Sequence, residues 1–169
     1  MLDMRASHRG KVQDFADKFG YEFVAGEKPW GKVGADVYVP CATQNELDLA
    51  DAEKIAAEGT CKILEEVSNM PTTPEAVACL TGKGVTIVPY KAANAGGVGV
   101  SALEMAQNAS KNVWSLEEED TKLHEIMTYI YKNITAAAKK YGKPGDLIAG
   151  ANLAAAEKVF QAMEEQGVC

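Results

Sequence analysis

Three short runs of the chain concentrate neutral amides and hydroxyls. They are "CATQNEL" (Cys41 to Leu47), "SNMPTTPE" (Ser68 to Glu75) and "YKAANAGGVGVS" (Tyr90 to Ser101). The first offers Thr43, Gln44 and Asn45, the second Ser68, Asn69, Thr72 and Thr73, and the third Asn94 and Ser101. A side-chain amide carries two N–H donors and a carbonyl acceptor and does not titrate. Such groups suit recognition of a carboxamide, a ribose or a carboxylate better than proton transfer. Lys91 is the one basic residue in these runs, and it reads either as part of a candidate site or as an exposed loop lysine.

The third run follows a β-branched stretch closed by Pro89. Gly96 and Gly97 permit positive φ and close backbone approach there. The helix expected to follow, opening near Val98 to Ser101, would present unpaired N–H groups to an anion. The spacing matches neither GxGxxG nor GxxxxGK[ST], so a phosphate loop is not indicated. Plainer roles exist for the same residues. Asn45 and Thr73 can cap helices, Asn94 with the two glycines can form a simple tight turn, and Ser101 can be a solvated first-turn serine. Trp30 and Trp114 read as packing groups.

Composition narrows the function classes. The chain has 169 residues, 47% hydrophobic and 24% charged, as in a globular protein with its own core. A net charge of −7 with scattered lysines, Lys139-Lys140 being the only adjacent basic pair, argues against nucleic acid. No window approaches the length of a membrane span, and the first residues lack the apolar core of a signal peptide. Cys41, Cys61, Cys79 and Cys169 form no CxxC and read as buried free thiols of a reducing cytoplasm. With His8 and His124 as the only histidines, a His-based metal site or triad is not expected.

The elements that must position the three runs follow from periodicity. A helix through Val12, Phe15 and Phe19 stops at Gly20. Strands are expected at Tyr21–Ala25, Gly34–Pro40, Cys61–Val67 and Val85–Val88. Helices are expected between the later strands, one ending at Gly59 and one opening at Pro74. Further helices span about Val98–Val113, a long stretch after the "SLEEED" capping box of Ser115 and Glu118, and about Gly150–Gln166. Strands separated by single helices imply an α/β chain with a parallel sheet. Ligands of such a sheet bind beyond the carboxyl ends of its strands, where the three polar runs would converge. A complete doubly wound nucleotide domain opens with strand, glycine-rich turn and helix; the chain opens on a helix and reads as the later half of one.

The strings "PCATQNEL", "NMPTTPEA", "KAANAGGVGVSALEMAQN" and "GANL" resemble, in this order, the C-terminal half of hexameric glutamate dehydrogenases of the NADP-linked kind. "KPWG" and the segment "W…EEED…LHEIM" fit as well. The resemblance implies a partial Rossmann-like dinucleotide-binding domain over residues 1–113 and a helical C-terminal segment, 114–169, packed on it. It implies reversible reductive amination of 2-oxoglutarate by ammonium to L-glutamate, with NADP or NAD as cofactor, in a homo-oligomer that is hexameric in the family. By motif, Ala42, Thr43 and Gln44 would line the cofactor site, Asn69 would lie by the nicotinamide ribose, and Asn94 would contact the nicotinamide carboxamide. Ser101, with Val98 beside it, would meet the substrate side-chain carboxylate.

The departures carry expectations of their own. The family's catalytic lysines and aspartate belong to an N-terminal substrate domain with no counterpart here, so the chain alone is expected to be catalytically silent. Val67 stands where the family motif E-G-A-N-M-P has glycine, and "GANLAAAEKV" replaces G-A-N-I-A-G-F. The competing reading is a non-catalytic assembly module with a vestigial nucleotide cleft. In either case an open sheet edge is expected, and such edges promote self-association.

Overall fold

A computed structural model of the chain describes residues 12–168; His8 and Cys169 lie outside the described residues. The elements run α1 (Val12–Phe19), β1 (Val37–Tyr38), α2 (Leu49–Glu58), β2 (Ile63–Glu65), α3 (Pro74–Gly82) and β3 (Thr86–Val88). Then come α4 (Tyr90–Ala93), α5 (Ala95–Ser110), α6 (Leu116–Lys140) and α7 (Leu147–Gln166).

The strands form a parallel sheet in the order β1-β2-β3. Its register aligns Tyr38 with Leu64 and Leu64 with Ile87, and all three are buried on one face. Ala52 and Ile55 of α2 and Ala76 and Leu80 of α3 pack onto that face. A fully buried leucine or isoleucine contributes about 1.5–3 kcal/mol, which makes this row the main source of sheet stability. The neighbouring register row, Val37, Ile63 and Thr86, is exposed. The α/β class and parallel pairing expected from alternating strands and helices are therefore found.

Helix ends follow local chemistry. Asp48 caps α2 by accepting from Asp51 N–H at 3.0 Å, and Gly59 closes it at φ 74°. Thr73 caps α3, and Pro74 fills its first turn, where no N–H is needed. Ser115 and Glu118 form the reciprocal capping box of α6, at 3.2 and 2.7 Å. Asp146 accepts from Ala149 N–H at 2.8 Å and starts α7 at Leu147, three residues before the expected Gly150. Gly150 instead lies inside α7, where a Cβ would sit 2.2 Å from the Ile134 carbonyl oxygen. Its lack of a side chain lets α7 approach the buried Ala137 and Ala138 of α6 closely.

Three expectations are corrected. Tyr21–Ala25 forms no strand. Tyr21 N–H donates to Ala16 O at 2.9 Å around left-handed Gly20, and its ring stacks on Phe15 at 5.8 Å. That amide closes α1, and the alternation that suggested a strand reflects local aromatic packing. The glycine-containing stretch after Pro89 is helical, not a turn. Tyr90–Ala93 and Ala95–Ser110 are helices, and neither Gly96 nor Gly97 has positive φ. Ala92, Ala93 and Ala95 favour helix strongly enough to carry the glycines along. Finally, Cys41 is exposed and Cys61 and Cys79 are half-buried, so the thiols are free but not sequestered.

Candidate functional site

Backbone hydrogen bonds lace the three strand exits together. Val67 and Ser68 N–H both donate to Pro40 O, at 3.1 and 3.2 Å, joining the first exit to the second. Glu66 N–H donates to Val88 O at 3.0 Å, joining the second to the third. Further out, Asn45 N–H donates to Met70 O at 2.9 Å, with both residues left-handed at φ 54° and 48°. Such φ values are costly outside glycine, particularly for Met70, and persist only where surroundings enforce them. Asn45 is not a helix cap, since Asp48 takes that role; its backbone shapes the loop.

Within this frame two of the expected site residues meet. Asn94 Nδ2 donates to Asn69 Oδ1 at 2.5 Å. The pair leaves the Asn69 amide donors and the Asn94 carbonyl oxygen available, a donor beside an acceptor, which is the complement of a primary carboxamide. Tyr90 N–H donates to Glu66 Oε2 at 3.0 Å, and Asn94 N–H donates to Tyr90 O at 3.1 Å. The short helix α4 thus hangs from the buried Glu66 and ends at Asn94.

Ala42, Thr43 and Gln44 lie exposed on the first exit loop. Ala42 N–H donates to Glu46 Oε1 at 2.9 Å, and Ser68 Oγ lies 3.5 Å from both Glu46 Oε1 and Thr43 O. Glu46 therefore organises this loop, a role sequence reasoning missed; its carboxylate four residues beyond Ala42 was the available signal. Val67 has no positive φ and is 37% exposed, so the residue at the family glycine position sits in ordinary backbone at the surface.

Val98 and Ser101 sit apart from the amide pair. The expected helix opening at Val98–Ser101 is corrected, because α5 starts at Ala95 with Asn94 as its N-cap. Ser101 lies in the second turn, and its Oγ donates to Gly97 O at 3.1 Å. Positions 94, 98 and 101 share one helical face, spaced i, i+4, i+7. Val98 is 74% exposed and Ser101 is exposed too, so this stripe faces outward.

A cavity of about 310 Å³ lies beside the strand exits, walled by Glu66, Met70, Thr72, Tyr90, Ile148 and Asn152 among others. Thr72 Oγ1 is buried there without a hydrogen-bond partner. Lys91 Nζ donates to Asn152 Oδ1 at 2.8 Å, tying α4 to α7 and accounting for the lysine structurally. A hollow of about 490 Å³ along α6 is lined by that helix alone and joins none of these exits. Burial raises the Cys61 thiol pKa, which keeps it protonated rather than nucleophilic. Among the described residues, no group of three or more potential metal ligands clusters, and no helix is long and apolar enough to cross a membrane. The three strand exits thus bring side-chain amides and hydroxyls together around the Asn69–Asn94 pair.

Known proteins share this sequence and shape. The profile of the Glutamate/Leucine/Phenylalanine/Valine dehydrogenase family matches residues 1–167. The NAD-specific glutamate dehydrogenase of Clostridium symbiosum is 51% identical over 169 residues, covering 99% of the chain and 37% of the relative. The NADP-specific glutamate dehydrogenase of Haemophilus influenzae is 44% identical over 173 residues, again with 99% and 37% coverage. A solved glutamate dehydrogenase structure superposes with a TM-score of 0.91 at 50% identity, covering 99% of the chain and 37% of that structure's chain. The chain thus spans 37% of the length of these relatives, which include both NAD- and NADP-specific forms.

Proposed function

From its membership of the glutamate, leucine, phenylalanine and valine dehydrogenase family, to which the chain belongs, we propose that it supplies the nicotinamide-facing wall of a glutamate dehydrogenase. The observation that carries this reading is the hydrogen bond between Asn94 and Asn69 at the exits of adjacent parallel strands. Two amides locked together present a donor and an acceptor in fixed relation, as a nicotinamide carboxamide requires. Asn94 accepts from the carboxamide NH2, and Asn69, lying by the nicotinamide ribose, donates from beside it to the carboxamide oxygen. Ala42, Thr43 and Gln44 line the cofactor path beyond. Ser101, with Val98 beside it, meets the side-chain carboxylate of 2-oxoglutarate or glutamate, and the Ser101 hydroxyl turns from Gly97 O to donate to that anion.

The carbonyl-activating and proton-shuttling groups are not among these residues. They belong to a separate substrate domain, as the family resemblance implies, and the chain acts together with that domain in a homo-oligomer. The division falls at residue 113, with the partial Rossmann-like unit before it and the helical segment after it. Asn69 and Asn94 serve NADP or NAD alike, because they contact the nicotinamide end, which the two cofactors share.

Grafting tests the proposal. The chain replaces the corresponding stretch of the Clostridium symbiosum relative, and the chimera is assayed with 2-oxoglutarate, ammonium and NADH. Turnover within about tenfold of the parent, roughly 1.4 kcal/mol in barrier, is expected. A folded chimera without turnover would point to a non-catalytic assembly module instead.

A further inference from the structure

Glu66 is 4% exposed, and among the described residues no ion pair includes it. An unpaired buried carboxylate is costly, so its one side-chain bond, from Tyr90 N–H at 3.0 Å, is informative. That bond closes a circuit. Tyr90 O accepts from Asn94 N–H at 3.1 Å, Asn94 Nδ2 reaches Asn69 Oδ1, and the backbone of Ser68 and Val67 leads from Asn69 back to Glu66. Glu66 N–H is also held, by Val88 O at 3.0 Å, so the carboxylate hangs from a fixed strand end.

We propose that Glu66 is a positioning residue whose carboxylate, acting through the Tyr90 N–H, sets the separation and orientation of the Asn69–Asn94 amide pair. Its relevance to nicotinamide rests on the proposed function, whereas the positioning itself does not. Glu66 acts through the backbone: it fixes where the first turn of α4 begins, and the pair inherits that placement.

The test reads the Asn94 side-chain amide in 15N-correlated spectra of the full chain without ligand. Wild type and Glu66→Gln, which keeps an acceptor oxygen, should show two well-separated Asn94 Nδ2 proton resonances from one bonded and one free proton. In Glu66→Met these should collapse toward the shifts of a free amide, while backbone signals of β1 to β3 stay in place. Tyr90→Pro provides a second route should Glu66→Met fail to fold. It deletes the donor at the first helical position, where proline is tolerated, and Pro89 at φ −72°, ψ 144° suits a following proline. Tyr90→Ala keeps the N–H and should resemble wild type. Unchanged Asn94 resonances in Tyr90→Pro would overturn the positioning role. Nicotinamide mononucleotide titrated into wild type tests the underlying site separately. If the pair collapses in the variants yet never responds to the nucleotide, the positioning role stands and the nicotinamide reading falls.

Discussion

Asn94 and Ser101 stand seven residues apart on one face of the helix that begins at Ala95, two turns and about 10 Å along its axis. The span suits a nicotinamide ring at one end and the distal carboxylate of a five-carbon dicarboxylate at the other. A flexible glycine turn would leave that distance adjustable. A helix makes it a fixed length, with Val98 between the two polar ends.

The isolated 169-residue chain should show no turnover above background with 2-oxoglutarate, ammonium and NADH or NADPH. The residues proposed to contact cofactor and substrate carry amides and hydroxyls at most, groups poorly suited to proton transfer near neutral pH. Measurable glutamate formation by the purified chain would show that the substrate domain is dispensable.

Gly150→Ala should destabilise the chain by about 1–3 kcal/mol, the usual cost of forcing atoms into a packed interior. The added methyl would meet the Ile134 carbonyl oxygen at 2.2 Å. Gly97→Ala offers the contrast, because nothing lies within 4 Å of its Cβ position. There the better helix propensity of alanine should leave stability unchanged or raised by up to about 1 kcal/mol. Urea denaturation of both variants checks the pair.

Acid should weaken the chain partly through Asp51. Burial pushes this carboxyl upward, but hydrogen bonds from Lys28 at 2.7 Å and Lys54 at 3.1 Å outweigh it, and the net pKa is lowered. A carboxyl depressed on folding contributes stability above its unfolded pKa of about 3.9 and loses it as pH falls through the lower folded value. Asp51→Asn should therefore cost roughly 1.5–3 kcal/mol at neutral pH. The gap to wild type should close as pH drops below about 4. Stability curves of the two proteins that stay parallel from pH 7 to 3 would contradict this.

Self-association is expected of the chain on its own. Strand β1 lies at a sheet edge, and Val37 at 45% and Ile63 at 37% leave an apolar row exposed on a parallel sheet, a class normally covered on both faces. Sedimentation velocity should show the weight-average mass rising with concentration. A sharp monomer throughout would mean that the edge and the exposed row are inert.

Much of this organisation was legible in the residues themselves. Thr73-Pro74, Ser115 with Glu118, and Gly59 announced their helix ends because caps are local chemistry. The parallel order followed from single helices between strands. The meeting of Asn69 with Asn94 was implied only by three polar runs at strand exits, and the bond itself depends on register. What misled were residues with two local solutions. The alternating Tyr21–Ala25 stretch pairs with no strand among the described residues, and its first amide closes α1 instead. Gly96 and Gly97 suggested a turn, yet the alanines around them carried the helix through. Glu66 and Gly150 drew no functional notice, since their roles arise from contacts 24 and 16 residues away in sequence, with Tyr90 and Ile134.

The most direct measurement compares Asn94→Ala with Ser101→Ala in the chimera, reading KM for NADH and for 2-oxoglutarate separately. If the stripe divides its work as proposed, Ser101→Ala raises the 2-oxoglutarate KM tenfold or more, about 1.4 kcal/mol, with little change for NADH. Asn94→Ala should weaken NADH chiefly. Equal losses for both ligands in both variants would contradict the division, and with it the assignment of this helix face to nicotinamide at one end and substrate at the other.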